Sequence, residues 1–176
     1  LDEMAFPEVE YVYSKIHEFA TVLATNNKFQ LASIKSAATP YPLVGQIEIL
    51  EKNSGKKVYK SPPNPNEIWL DERLARLLEV SLGERVSVGE KDFIFNGIII
   101  AESDRGAGSF AFAPKGIINS LDLEKTNVIK PGSRVRYSYL FKASSKDLVN
   151  LENYFQEMKK PGDEIMMPDN EASPLG

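Results

Sequence analysis

Between residues 102 and 136 the chain changes backbone habit every few residues, and that cadence restricts it to short elements joined by tight turns. Asp104-Arg105-Gly106-Ala107-Gly108 is too polar and too glycine-rich for a regular element and reads as a surface loop. Small and aromatic residues alternate over 109–113, which predicts a strand with Phe110 and Phe112 on one face. Pro114 suits the first turn of a helix, where a missing N–H costs nothing. Pro131-Gly132 signals a turn, and the alternation of Val135, Tyr137 and Tyr139 predicts a strand after it.

Elsewhere the period switches in the same way. Val9, Val12, Tyr13 and Ile16 fall at helical spacing and predict an amphipathic helix over 7–18. A hairpin of 19–23 and 29–36 is expected around Thr25-Asn26-Asn27-Lys28, residues that tolerate turn geometry. A short strand over 46–50 precedes a turn at Asn53-Ser54-Gly55. The proline-rich 61–66 should run extended over the surface. Residues 67–70 read as a buried strand holding Trp69, and Asp71 as the N-cap of a helix that Gly83 ends, with Leu74, Leu77, Leu78 and Leu82 as its apolar stripe. Residues 85–88 and 92–101 make a second hairpin. A last helix over 146–158 buries Leu148, Leu151, Tyr154 or Phe155, and Met158, and the tail 161–176 shows no period. This pattern is that of an α+β domain with a mostly antiparallel sheet.

Seven motifs stand in a fixed order: Tyr41-Pro42-Leu43-x-Gly45; Trp69-Leu70-Asp71-x-Arg73-Leu74; Leu82-Gly83 with Val86-x-Val88-Gly89; the 104–108 loop; Ala113-Pro114-Lys115; Asn119-x-x-Asp122-Leu123; and Pro131-Gly132-Ser133-Arg134-Val135. In that order, over 32–139, the chain resembles the extracytoplasmic domain of bacterial ABC-transporter permeases of the FtsX/MacB-like superfamily, nearest the branch labelled for lysophospholipase L1 biosynthesis. The resemblance implies a two-lobed MacB-like periplasmic core. A ferredoxin-like porter lobe would take residues 1–44 and 133–160, incomplete and with an exposed sheet edge. A small α/β lobe would be inserted at 45–132, and 161–176 would lead toward the next membrane helix. It also implies an inner-membrane protein whose domain lies in the periplasm, working with a cytoplasmic ATPase subunit and a second permease copy. A periplasmic esterase or lysophospholipase, or a lipid-like cargo, are further partners it suggests.

Composition narrows the chemistry. The chain has no cysteine and a single histidine, His17, which excludes disulfides, Cys-ligated zinc, thiol catalysis and any site built on several histidines. Net charge is −4 without a basic stripe, which disfavours nucleic-acid binding. Neither Gly106-Ala107-Gly108 nor Ser54-Gly55-Lys56-Lys57 fits a phosphate-binding P-loop, and no nucleophile elbow surrounds Ser109 or Ser133. The longest apolar run, Ile98-Ile99-Ile100-Ala101, is far short of the ~20 residues that span a bilayer. A chain opening Leu1-Asp2-Glu3 reads as a fragment, and the resemblance implies membrane helices on both sides of it. No cofactor or metal site is expected.

The functional expectation is therefore a non-catalytic domain, with a stand-alone ligand-binding or adaptor domain and a hydrolase as the competing readings. Asp104 and Arg105, with Phe110 and Phe112, are expected either to form a partner-binding tip or to tie the loop to Arg134 or Arg136. Asp71, Asn119 and Asp122 are expected to cap helices or turns, and Glu102 with Asp104 to form a solvated carboxylate pair.

Overall fold

The computed structural model describes residues 11–42, 45–102, 113–143 and 145–161. Nine strands and three short or medium helices follow one another as β1 (Tyr11–Ala24), β2 (Phe29–Ala37), β3 (Ile47–Glu51), β4 (Gly55–Tyr59), β5 (Glu67–Asp71), α1 (Glu72–Leu78), β6 (Arg85–Val88), β7 (Lys91–Glu102), β8 (Lys115–Asn119), a 3-10 turn (Ser120–Asp122), α2 (Leu123–Thr126), β9 (Val135–Ala143) and α3 (Ser145–Met158). This is an α+β fold with one large sheet and few helices. It falls into two compact units, 14–140 and 1–13 with 141–176.

In the larger unit the pairings close on themselves: β1 pairs β2, β2 pairs β8, β8 pairs β5, β5 pairs β7, β7 pairs β6, and β6 returns to β1. Two of these ladders, β2–β8 and β5–β7, are parallel and the others antiparallel. Side-chain alternation explains the closure. Each ring strand sends its inward residues to one cluster: Phe19 and Leu23, Ala32 and Ile34, Ile68 and Leu70, Val86 and Val88, Phe93 and Phe95, and Ile118. Leu74, Ala75 and Leu78 of α1 join that cluster. Burial of each such Val, Leu, Ile or Phe side chain contributes about 1.5–3 kcal/mol.

The outer face of the ring is covered by a second cluster. Ile16, Ala37, Tyr41, Trp69 and Ile117 pack there with Ile47 and Ile49 of the β3–β4 hairpin, which joins the ring through β3 on β7. β5 and β8 are thus buried on both faces. Trp69 lies against the Tyr59 ring, 5.1 Å between centroids. It also leaves no room at Gly97, where a Cβ would sit 2.7 Å from the indole Cδ1. Gly89 in the β6–β7 turn is held at φ 57°, and a Cβ there would stand 2.1 Å from the Thr126 carbonyl oxygen.

The hairpin turn at 25–28 forms as expected, with Thr25 N–H donating to Lys28 O. Strands stand at 85–88, 91–102, 47–51 and 67–71, against 85–88, 92–101, 46–50 and 67–70 read from sequence. Other expectations are corrected. Within the described part of 7–18 the chain is a strand: β1 runs in register with β2 from Ile16↔Ala37 to Ala24↔Phe29. A partner strand outweighs helical spacing in a stretch whose Tyr, Val and Ile suit a pleated surface. α1 stops at Leu78 rather than at Gly83, because Glu79 turns left-handed (φ 52°) and sends Val80 into the ring core. Pro114 opens no helix; its carbonyl accepts the Ser33 N–H at 2.8 Å and β8 follows. β4 appears just after the 53–55 turn, over residues read as no regular element. The segments expected in separate lobes share one ring: β1 and β2, from the first 44 residues, pair with β6 and β8. In the smaller unit α3 buries Leu151 but leaves Met158 exposed, and the Tyr154 and Phe155 rings meet edge to face.

Candidate functional site

The loop carrying Asp104, Arg105, Phe110 and Phe112 lies outside the described residues, but both of its feet are defined. On the upstream side β7 ends at Glu102. Its side chain is buried, in contrast to the solvated pair expected, and accepts from Lys35 Nζ at 2.6 Å. The Tyr41 hydroxyl donates to the same carboxylate and itself accepts from Lys35 Nζ at 2.9 Å. Glu18 Oε1 stands 3.8 Å from Lys35 Nζ on the other side, so one ammonium serves two carboxylates. The strands dictate this meeting. Glu18 and Lys35 are cross-strand partners in the β1–β2 ladder, on the outer face that also carries Ile16 and Ala37. A buried lysine is tolerated only with such partners.

On the downstream side Asp71 does two jobs. Its Oδ1 accepts the Leu74 N–H at 2.7 Å and caps α1, while its Oδ2 accepts the Lys115 N–H at 2.9 Å, where β8 begins. A single carboxylate therefore fixes the start of a helix and the first residue of the strand that leaves the loop.

The third signature forms a clamp. Asn119 caps the 3-10 turn by accepting from Leu121 N–H (2.9 Å), and its amide donates to the Pro63 carbonyl (3.0 Å). Asp122 makes no cap. Fully buried, it accepts the Asn66 N–H at 2.7 Å, and Lys91 Nζ lies 3.8 Å away while donating to Asn66 Oδ1 at 2.8 Å. Three prolines, Pro62, Pro63 and Pro65, leave 61–66 short of N–H donors for a ladder, and these two side chains fasten it. Pro131-Gly132 turns the chain (φ 89° at Gly132), and Ser133 N–H returns to Lys130 O. Arg134 is exposed at the start of β9.

Tyr59 and His17 also make contacts among the described residues. The Tyr59 hydroxyl donates to Glu51, and that hydrogen bond, with burial and the Glu51 charge, pushes its pKa up to about 12. His17 stands edge to face on Tyr137, 4.8 Å between ring centroids. Among the described residues no three His, Asp or Glu side chains gather as a metal site, and no helix is long and apolar enough to cross a membrane. Sequence reasoning missed Lys35 and Glu18. The available signal was a lysine on the apolar-facing register of a strand, opposite a glutamate.

No family model matches the chain. Over 143 residues it is 31% identical to an Escherichia coli (strain K12) protein named uncharacterized ABC transporter permease YbbP. The match takes in 81% of this chain and only 17% of that protein. The chain is therefore homologous to a segment of an ABC transporter permease. Its fold matches a solved domain of a Porphyromonas gingivalis protein described as a permease, with a TM-score of 0.54 and 14% identity over 96% of this chain and 80% of that one.

Proposed function

We propose that the chain is a non-catalytic, extracytoplasmic domain of an inner-membrane ABC permease of the FtsX/MacB-like kind. A cytoplasmic ATPase subunit would supply the energy, and the domain would engage a hydrophobic, lipid-like cargo or a periplasmic partner such as an esterase or lysophospholipase, beside a second permease copy. The 143-residue match to a permease carries this reading. The geometry supports a contact role over a catalytic one. The carboxylates of Asp71, Glu102 and Asp122 are each committed to fastening backbone or to an ammonium. Anchored feet at Glu102 and Lys115 would let the loop with Asp104 and Arg105 meet a partner in a reproducible pose.

Placement and energy coupling have a direct test. In the full-length protein, freed of any native cysteine, Leu121→Cys introduces a thiol at an exposed site. A membrane-impermeant maleimide should label it in spheroplasts without lysis, and an ABC ATPase should co-purify with the protein. Labelling only after lysis, or purification without an ATPase, overturns the reading.

A further inference from the structure

We infer that the groove between α1 and the β3–β4 hairpin binds one long-chain fatty-acid anion, with its carboxylate at Lys52. The groove originates in the way β7 shares one of its edges. β5 takes the other edge, so β6, on residues 91–94, and β3, on 98–102, both pair on this one. Between them the chain after α1 steps in: Gly83 N–H donates to Phe95 O at 2.7 Å, and Phe95 N–H to Glu84 O at 2.9 Å. What remains is an open groove of about 720 Å³, with Ala75, Val80, Leu82, Phe95 and Ile98 as its apolar lining. The apolar surface continues beyond it. Ile98 is paired with Leu50, and Val58 lies diagonal to Leu50 in the β3–β4 ladder, on the same face. Leu50 is 38% exposed and Val58 49%. This row crosses three strands, roughly 10 Å at about 4.8 Å between neighbours.

Charge, backbone and shape together select the occupant. Lys52 lines the groove and reaches across its mouth, where a Cβ on Gly83 would stand 3.8 Å from the Lys52 Nζ. This ammonium has no carboxylate or hydrogen-bond partner among the described residues. The other charges lining the groove are matched: Glu72 with Arg76 at 3.9 Å, and Glu79 with Lys28 at 3.8 Å. One cation is therefore left for one anionic head. The main chain of Phe95 is already spent on Gly83 and Glu84, so an extended peptide finds no ladder to join there. A hydrocarbon chain needs none. A concavity of this volume falls within the ~300–1,000 Å³ that small ligands fill, whereas folded partners and second copies meet over broad surfaces. An apolar lining that runs on to Leu50 and Val58, with one unmatched ammonium at its mouth, is complementary to an amphiphile with a single chain and a single negative charge.

As the cargo of a transporter this ligand rests on the reading of the chain as a permease domain; the binding itself does not. Laurate, titrated below its micelle concentration into the 176-residue chain, should bind at one site and more tightly than dodecyltrimethylammonium. Lys52→Glu should weaken laurate about tenfold and reverse that order. Octanoate should bind the wild type at least about tenfold more weakly than laurate, because each buried methylene adds to affinity. Leu50→Glu should weaken laurate about tenfold, and Leu121→Glu, at an exposed position outside the groove, should leave it unchanged. Thermal melting checks that Leu50→Glu remains folded; if it does not, Leu50→Ser replaces it. In the full-length protein in its own cells, Val58→p-benzoylphenylalanine and ultraviolet light should add the mass of a fatty acid to the peptide carrying residue 58. Absence of laurate binding, laurate that unfolds the chain, binding indifferent to Lys52→Glu or to Leu50→Glu, a crosslink to protein (a second copy included), or no adduct overturns the proposal. ATPase co-purification is followed with the same full-length protein. Its loss with laurate binding intact strikes the permease reading, while an intact ATPase without laurate binding strikes the groove alone.

Discussion

The two faces of the strand ring are built on opposite principles. The inside is dominated by apolar side chains from all six ring strands and α1. The outside is apolar around Trp69 but admits Glu18, Lys35 and Glu102 beside Tyr41. An apolar interior stabilises through area and packing and accepts many similar solutions. A buried ammonium between two carboxylates contributes little net stability, because desolvation offsets the Coulomb gain. What it adds is geometry: only one register of β1, β2 and β7 lets these groups meet. The contrast teaches that the inner face makes the unit stable, whereas the outer cluster fixes where the end of β7 sits.

Removing packing inside should cost most. Phe95→Ala is expected to destabilise by about 3–5 kcal/mol in urea unfolding, with the slope unchanged; a loss under 1 kcal/mol would mean that the ring interior collapses freely. Lys35→Ala leaves two buried carboxylates facing each other and should cost roughly 3 kcal/mol. Lys35→Met with Glu18→Gln and Glu102→Gln should recover most of that. The triple variant should also show faster amide exchange at 99–102 than wild type, and equal protection there would remove the positioning role. Asp71→Ala releases two backbone N–H groups and should cost about 1–2 kcal/mol, with Asp71→Asn in between; no change in melting temperature counts against the double bond to α1 and β8.

The smallest effect is confined to alkaline pH. The raised pKa of Tyr59 means that its neutral hydroxyl is favoured by folding, so that contribution is full below pH 10 and is lost as pH rises toward about 12. Tyr59→Phe should flatten the stability profile within that window and remove a tyrosinate signal near pH 12. The Tyr59 side chain is only partly buried, so the amplitude is small. A Tyr59→Phe profile that falls as steeply as wild type sinks the assignment to Glu51.

Much of the fold was legible because turns and alternation are local. Thr25 to Lys28, Gly89 in the second hairpin and the Asp71 cap each announce themselves within a few residues. β1 was misread because Val9, Val12, Tyr13 and Ile16 satisfy a helical spacing as well as a strand, and only the pairing with β2 decides. Ring closure was not legible at all, since it depends on which strand finds which across long separations. The same holds for the candidate site. Asp71 and Asn119 showed their capping chemistry in sequence, but Asp122 was taken for a cap because its true partner, Asn66, is remote in the chain. Glu102 looked solvated because nothing near it in sequence reveals Lys35 and Tyr41.

The parallel ladder between β2 and β8 carries a consequence for how the protein is made. β2 ends at Ala37 and β8 begins at Lys115, so the hairpin is synthesised well before the strand that borders it. At about 5–20 residues per second, its unpaired edge waits for roughly 4–16 s. During that interval a nascent chain with open backbone donors and acceptors is vulnerable to capture by any neighbouring strand.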